Sequence, residues 1–333
     1  MKLLIVSALS KPLQDSGYCP VEEHVRAVAN EMANRGHEVW VAALKGSVPE
    51  KFKLVEVEPD EEKAYATYKP MLDQFEAIID FSNLKYTYLY KHEENPKLKL
   101  IGCCYPYQAL GYLTPPPIPF PCMVATSDAM AQAMSAKLGC TFKVVNYFPI
   151  APPAGFEPAT RSDRLLFLGR LEKGKGAHVA VDLARQMRVG LDVAGEDVLV
   201  SDQRYTVLLL QKADGKLVRV YGRITETLKH ELLAKAKAVV LPYLEDSSAW
   251  TCQTILEAYM HGTPVITMNR GAVKGFVRNG YNGWICDELS QLSGAVKNLD
   301  QLPVDHSCEE TAKTFSLETT VDKYQGLLDA QEW

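Results

Sequence analysis

Short apolar runs alternate with stretches of helical spacing along the whole chain. Leu3 to Ser7 reads as a buried parallel strand. Pro20 stands where a first helical residue belongs, Val21, Val25, Val28 and Met32 recur at helical spacing, and Gly36 ends that helix. Val39, Val41 and Leu44 mark a second strand. Further strands are expected at Ala77–Phe81, Leu98–Cys103, Met123–Thr126 and Phe142–Val145, with a helix Asp128–Leu138 capped by Ser127 or Asp128. After residue 163 the rhythm resumes. Leu165–Leu168, a strand ending at Ala194, Val218–Tyr221, Val239–Leu241, Val265–Ile266 and Trp284–Cys286 read as strands. Helices are expected at Ala177–Met187, Thr225–Ala236 and Leu289–Leu299, and Ile255 to Met260 form one closed by Gly262. Tyr205–Lys212 is read as helix, because parallel strands on either side need a crossover. Strands alternating with helices throughout predict an α/β protein with parallel sheets.

The chain has 333 residues, enough for about two domains of roughly 150 residues each. Phe148 to Asp163 is rich in Pro and Ala and lacks periodicity, as an interdomain linker would. The expected division is therefore 1–148, a linker 149–163, a second domain 164–308 and a terminal helical segment 309–333. Net charge is -5, roughly two net negatives before residue 151 and three after, so neither half offers nucleic acid a basic face. Eight cysteines form no Cys-x-x-Cys pair and no metal-ligand spacing with His, so they are expected as reduced buried thiols, with no metal. The apolar run in MKLLIVSALSKP is too short for a signal peptide, and no stretch approaches the ~18 apolar residues of a membrane helix. A cytoplasmic protein is expected. No peripheral membrane patch is visible in the sequence, and membrane association stays open.

Candidate chemistry sits in loops that follow strands, where open α/β sheets bind ligands. Gly169-Arg170-Leu171-Glu172-Lys173-Gly174-Lys175-Gly176 follows an apolar strand and precedes a helix. Its glycines free the backbone, helix-start amides favour anions, and Arg170 and Lys175 add two cations. Lys173 is expected to be solvated. No Gly-x-Gly-x-x-Gly occurs after the first strand, which disfavours a dinucleotide.

Several of these motifs together resemble glycosyltransferase family 4, the group 1 enzymes of GT-B fold. Gly169-Arg170-Leu171 with Lys175-Gly176 resembles its diphosphate-gripping motif, and Glu257-Ala258 with Gly262-Thr263-Pro264-Val265-Ile266 resembles its helix-to-strand signature. Val193-Ala194-Gly195-Glu196 and Tyr221-Gly222-Arg223-Ile224 resemble two strand-end motifs, and Thr314-Phe315-Ser316-Leu317-Glu318 through Tyr324 resembles the terminal helix. Val21-Glu22-Glu23-His24-Val25 resembles the helix start that follows a paired-glycine loop. Cys19-Pro20 stands in place of those glycines, and Gly17 lies just upstream. His24 is expected on the helix surface.

The resemblance implies two facing Rossmann-like domains with parallel sheets and a terminal helix that crosses back to the first. It implies that Gly17, Gly169, Arg170, Lys175, Gly195, Arg223, Ile224, Thr251, Cys252 and Glu257 contact the donor, with Arg170 and Lys175 on the leaving diphosphate and Glu257 on the ribose. Departures are as plain. Ala249 replaces the first acid of Glu-x7-Glu, Thr251-Cys252 replaces Phe-Gly, and Lys274-Gly275 replaces Pro-Glu. Glu245 or Asp246, in the longer loop from Pro242, is the candidate substitute acid. Ser247, Ser248 and Thr251 are candidates to cap the next helix. Where relatives carry histidines after the strand at Ala77–Phe81, this chain has Asp80 and Ser82. The aromatic, Pro-rich stretch Tyr105–Pro121 is expected as a loop at the mouth of the cleft.

The expected activity is retaining, metal-independent transfer of a sugar from a nucleotide-sugar to a hydroxyl acceptor: a sugar, a lipid-linked glycan or a small molecule. No cofactor beyond the nucleotide-sugar co-substrate is expected. The departures at Ala249 and 274–275 keep two alternatives open, a nucleotide-sugar-binding or scaffold protein of little turnover and a GT-B nucleotide-sugar epimerase.

Overall fold

The computed structural model describes residues 1–13, 20–82, 85–104, 122–157, 160–196, 203–244, 249 and 251–330. In chain order the first elements are β1 (Lys2–Val6), α1 (Pro20–Asn34), β2 (Glu38–Leu44), β3 (Lys53–Val57), α2 (Glu61–Tyr68), β4 (Ala77–Asp80) and α3 (Lys85–Glu93). Then follow β5 (Lys99–Cys104), β6 (Cys122–Ala125), α4 (Asp128–Leu138) and β7 (Phe142–Val144). The second series comprises β8 (Leu165–Leu168), α5 (Ala177–Met187), β9 (Leu191–Ala194), α6 (Gln203–Lys212), β10 (Val218–Gly222), α7 (Glu226–Lys235) and β11 (Ala238–Leu241). It continues through α8 (Gln253–Met260), β12 (Val265–Met268), β13 (Gly283–Cys286), α9 (Leu292–Lys297), α10 (Val304–Thr314) and α11 (Leu317–Asp329).

The apolar runs become strands because a parallel strand covered on both faces needs no polar face. Leu3 to Val6, Leu165 to Leu168 and Ala238 to Leu241 are buried throughout. Two sheets result, and every strand pair in each is parallel. Among the described residues the first has the order β3-β2-β1-β4-β5-β6-β7 and the second β10-β9-β8-β11-β12-β13. The strand order reverses between β1 and β4 in one and between β8 and β11 in the other, the doubly wound Rossmann-like arrangement. Helix Gln203–Lys212 is the crossover that parallel pairing of β9 with β10 demands.

The chain divides into two compact units, Met1–Phe148 with Ser316–Trp333, and Pro149–Phe315. Among its described residues the segment after Phe148 has no helix or strand before β8, yet it is held to the second unit. Phe156 packs on His230 and His261, and Arg161 donates to the carbonyls of His261 and Gly262. In the first unit α11 lies on α1. Arg35 pairs with Asp322 at 2.7 Å, the Thr320 hydroxyl donates to the Asn146 carbonyl, and Tyr324 is fully buried. His24 corrects an expectation. It is 1% exposed, not on the helix surface, and its ring meets Phe81, Tyr147, Phe148 and Tyr324. Burial lowers its pKa to about 3, so it is a neutral packing residue.

Some elements carry little hydrophobic signal. β3 alternates weakly, and α2, α3 and α10 are mostly polar along their lengths. The described cysteines at 103, 122, 140, 252, 286 and 308 are free thiols. No helix among the described residues is long and apolar enough to cross a membrane.

Helix α11 begins at Ser316, whose hydroxyl accepts from the Thr319 amide at 3.2 Å. Ser316→Ala removes that cap and is expected to cost about 1 kcal/mol. Urea unfolding of the wild type and the variant checks it; equal midpoints would show that the cap contributes nothing.

Candidate functional site

The loops at the carboxyl ends of the second sheet are tied to one another through backbone. The Gly169 amide donates to the Ala194 carbonyl at 3.1 Å, and Leu171 to Glu196 at 2.9 Å. Gly195 donates to Gly222, Leu244 to Gly174, and Ala272 to Ala249. Two glycines make this possible. Gly176 has φ 77°, and a β-carbon there would stand 2.2 Å from the Pro242 carbonyl oxygen. At Gly195, φ 149°, it would stand 1.8 Å from the Gly169 carbonyl oxygen. Any side chain at either position forces the loops apart.

Two of the expected cations stand in the first of these loops. Arg170 is half-exposed and pairs with Glu172 at 3.0 Å. Lys175 is half-buried, with its ammonium 5.0 Å from the centre of the Tyr243 ring. Burial first, and Arg170 second, lower the Lys175 pKa below the ordinary lysine range, while Glu172 opposes them. An anion between Arg170 and Lys175 would relieve that repulsion. Arg223, beside Ile224 after β10, is exposed and lies 3.8 Å from Glu196. Lys173 is exposed, as expected.

The start of α5 is occupied differently from the expectation. The His178 amide donates to the Tyr205 hydroxyl at 3.1 Å, and His178 Nδ1 lies 2.8 Å from the same oxygen. The phenol of α6 therefore takes up an amide at the N-terminus of α5.

Helix α8 starts at Cys252, which has φ 51° and no side-chain cap. The expected cap by Thr251 is not formed, and Ser247 and Ser248 lie outside the described residues. A non-glycine residue in the left-handed region is uncommon. It stands where the resemblance places glycine, so the backbone shape persists with a thiol attached. Cys252 is buried, its Sγ lies 3.6 Å from the Ala249 carbonyl oxygen, and burial pushes its pKa up to about 12 against the pull of Lys175. Ala249 is itself buried and presents no acid. Gly17, Glu245 and Asp246 also lie outside the described residues, as does Tyr105–Pro121. Asp80 is buried and accepts from the Ser82 amide and from the Ser82 and Thr87 hydroxyls, which fixes the turn into α3.

Glu257 has a partner that sequence reasoning missed. It is 1% exposed, and its Oε1 accepts from Lys229 Nζ at 2.9 Å. Lys229, also buried, reaches Glu226 at 2.6 Å. Burial opposes the lysine charge, but Glu257 and Glu226 outweigh it and raise its pKa. Glu257 Oε2 is buried with no hydrogen-bond partner; burial raises the Glu257 pKa, and Lys229 and Gln253 oppose that rise. Glu226, Lys229 and His230 share one face of α7 at helical spacing, but nothing in the sequence points that face at a residue 28 positions on.

Beside this pair, His230 Nδ1 and His261 Nε2 lie 2.8 Å apart, a hydrogen bond that needs at least one neutral ring. Burial lowers His230 to about 3 and His261 to about 4. Unfolded histidine titrates near about 6.5. The stability of this neutral pair is therefore full above about pH 6.5 and is lost as pH falls toward the folded values. The urea midpoint is expected to drop between pH 6.5 and 5, and His230→Leu with His261→Leu to flatten that drop. An unchanged slope in the double variant would overturn the assignment.

Residues 162–301 match the family model described as glycosyl transferases group 1. Glycogen synthase from two strains of Mycobacterium tuberculosis is 31% identical over 159 residues, a match spanning 44% of this chain and 36% of each relative. Thus the chain spans little more than a third of the curated relatives it matches. Solved structures are similar along nearly its whole length. AviGT4, a glycosyltransferase involved in avilamycin A biosynthesis, has a TM-score of 0.72 at 21% identity, covering 98% of this chain and 96% of its own. Anabaena HepE in complex with UDP and glucose has 0.74 at 17%, covering 98% and 99%. Sucrose-phosphate synthase from Thermosynechococcus elongatus has 0.74 at 15%, covering 98% of each chain. Residues 162–301 are thus similar to the glycosyl transferases group 1 family, and the chain that carries them has the GT-B fold of two Rossmann-like parallel-sheet units.

Proposed function

We propose that this chain transfers a sugar from a nucleoside-diphosphate sugar to a hydroxyl acceptor. The observation that carries the reading is the loop after β8, drawn against the loops after β9 and β11 at Gly195 and Pro242, which holds Arg170 and the Lys175 ammonium beside Tyr243; burial, then Arg170, disfavours the Lys175 charge. A diphosphate is the ligand that relieves it. Charge-assisted contacts of roughly 1.5–3 kcal/mol each would supply much of the ~8 kcal/mol of micromolar binding. The backbone of Gly169 and Gly195 gives the phosphates room, Arg223 and Ile224 flank the base, and Oε2 of Glu257 accepts from the ribose. Thr251 and Cys252 lie at the start of α8, toward the β-phosphate. HepE, solved with UDP-glucose, supports a uridine donor.

In this reading the acceptor hydroxyl attacks on the face from which the diphosphate departs. The bond from C1 to the diphosphate oxygen breaks, the bond to the acceptor oxygen forms with retention, and the departing oxygen takes the acceptor proton. Arg170 and Lys175 stabilise the charge that develops on the diphosphate, the work a metal does elsewhere. EDTA is therefore expected to leave turnover unchanged. Glu245 or Asp246 is assigned the acid missing at Ala249 by chain position alone.

The buried methyl of Ala249 favours a second reading, a donor-binding protein of little turnover. NMR of the protein with UDP-, GDP-, dTDP- and ADP-sugars separates the two. The transferase reading expects one donor bound and slowly hydrolysed; a donor bound but inert, with no transfer to any hydroxyl acceptor, supports the second. No donor bound overturns both. Glu257→Ala is expected to weaken nucleoside diphosphate binding about 10- to 100-fold, read by titration calorimetry; unchanged affinity would remove Glu257 from the ribose.

A further inference from the structure

The loops after β8 and β11 meet in a register of their own. Pro242 faces Gly176, where a β-carbon would stand 2.2 Å from the Pro242 carbonyl oxygen. Two residues on, the Leu244 amide donates to the Gly174 carbonyl at 2.9 Å. Position 242 thus meets 176 and position 244 meets 174, so the two runs pass in opposite directions. Their middle residues are Tyr243 and Lys175. Backbone on either side sets these two against each other, and the Lys175 ammonium lies over the phenol ring, 5.0 Å from its centre. Tyr243 is buried, and its own amide donates back to the Leu241 carbonyl at 2.9 Å.

A ring does for a cation what a carboxylate cannot. A carboxylate neutralises its partner and competes with any anion that approaches, as Glu172 does for Arg170 at 3.0 Å. The face of a phenol attracts the same charge through its quadrupole and leaves that charge in place. It also takes water from one side of the lysine, and an ammonium with less water around it attracts an anion more strongly. Burial, then Arg170, act against the Lys175 charge, while Glu172 and the Cys252 thiol at the head of α8 act for it. The ring adds to the favourable side without setting a negative charge where a phosphate would lie.

We propose that Tyr243 is a positioning residue for sugar transfer: its ring holds the Lys175 ammonium charged and in place for the diphosphate of the donor. This role rests on the loop 169–176 gripping that diphosphate, as proposed above. Tyr243 acts through Lys175 rather than on the sugar or the phosphates. The phenol hydroxyl has no part in it, so a phenylalanine ring serves as well and an aliphatic side chain of similar bulk does not.

Titration calorimetry of the full chain with UDP tests it. Tyr243→Leu is expected to weaken UDP binding about 3- to 30-fold, the range of a cation–π contact, and Tyr243→Phe to stay within about 2-fold of wild type. Lys175→Met is expected to weaken binding by itself, and Tyr243→Leu to add nothing once Lys175 is replaced. UDP calls for the charged lysine, so binding falls as pH rises. That fall is expected at lower pH in Tyr243→Leu and not in Tyr243→Phe, because loss of the ring lowers the Lys175 pKa. NMR of isotope-labelled lysine reads the same displacement without nucleotide. A Tyr243→Leu variant that binds UDP as wild type does, a loss of equal size in the Lys175→Met background, or a Tyr243→Phe variant as weak as Tyr243→Leu would each overturn the role of the ring and leave the diphosphate site standing. Wild-type protein that binds no UDP, or a Lys175→Met variant that binds it unchanged, would overturn that site and this role with it.

Discussion

The Gly169 carbonyl oxygen lies 1.8 Å from where a β-carbon on residue 195 would stand, and the Pro242 carbonyl 2.2 Å from that of residue 176. Backbone meets backbone at both places. This contact sets how closely the loops after β8, β9 and β11 gather, and the site depends on it. With the loops drawn together, Tyr243 of the loop after β11 lies over the Lys175 ammonium, whose charge is disfavoured by burial first and by Arg170 second. Loops held further apart would leave Lys175 more open to water.

A second set of charges is organised by burial. Lys229 bridges Glu226 and Glu257 inside the second unit, and neither Lys229 nor Glu257 reaches solvent appreciably. A buried ion pair adds little net stability relative to apolar packing, but breaking one partner is costly. Its value here is positional. One oxygen of Glu257 is engaged and the other is left open, which fixes the direction in which the carboxylate can accept. The neighbouring neutral histidines complete a dry wall, with Phe156 packed on both rings.

Helix α6 joins these themes. Its inward Tyr205 takes the His178 amide at the head of α5, the helix that follows the Arg170–Gly176 loop. Its outward face carries the exposed aliphatics. One short helix thus holds the head of α5 with one edge and leaves aliphatic side chains exposed on the other. That division follows from helical periodicity, because residues 205 and 207 point nearly opposite ways.

Much of the architecture was legible in the sequence. Runs such as Leu3–Val6, Leu165–Leu168 and Ala238–Leu241 have no polar face, so only a sheet covered on both sides suits them. Gly169 to Gly176 and Glu257 to Ile266 read as a strand-to-helix loop and a helix-to-strand turn, and they join β8 to α5 and α8 to β12. The weaker elements β3, α2 and α10 escaped because a half-exposed strand and mostly polar helices carry little periodicity. Other features had no local signal at all. The partner of Glu257, the burial of His24 among four aromatic rings and the phenol at the head of α5 each join residues far apart in the chain. Local sequence determines which way each short segment folds, since hydrophobic period and glycine placement act over a few residues. Which charges meet, which are sealed from water and which apolar faces stay bare are decided only when distant segments pack.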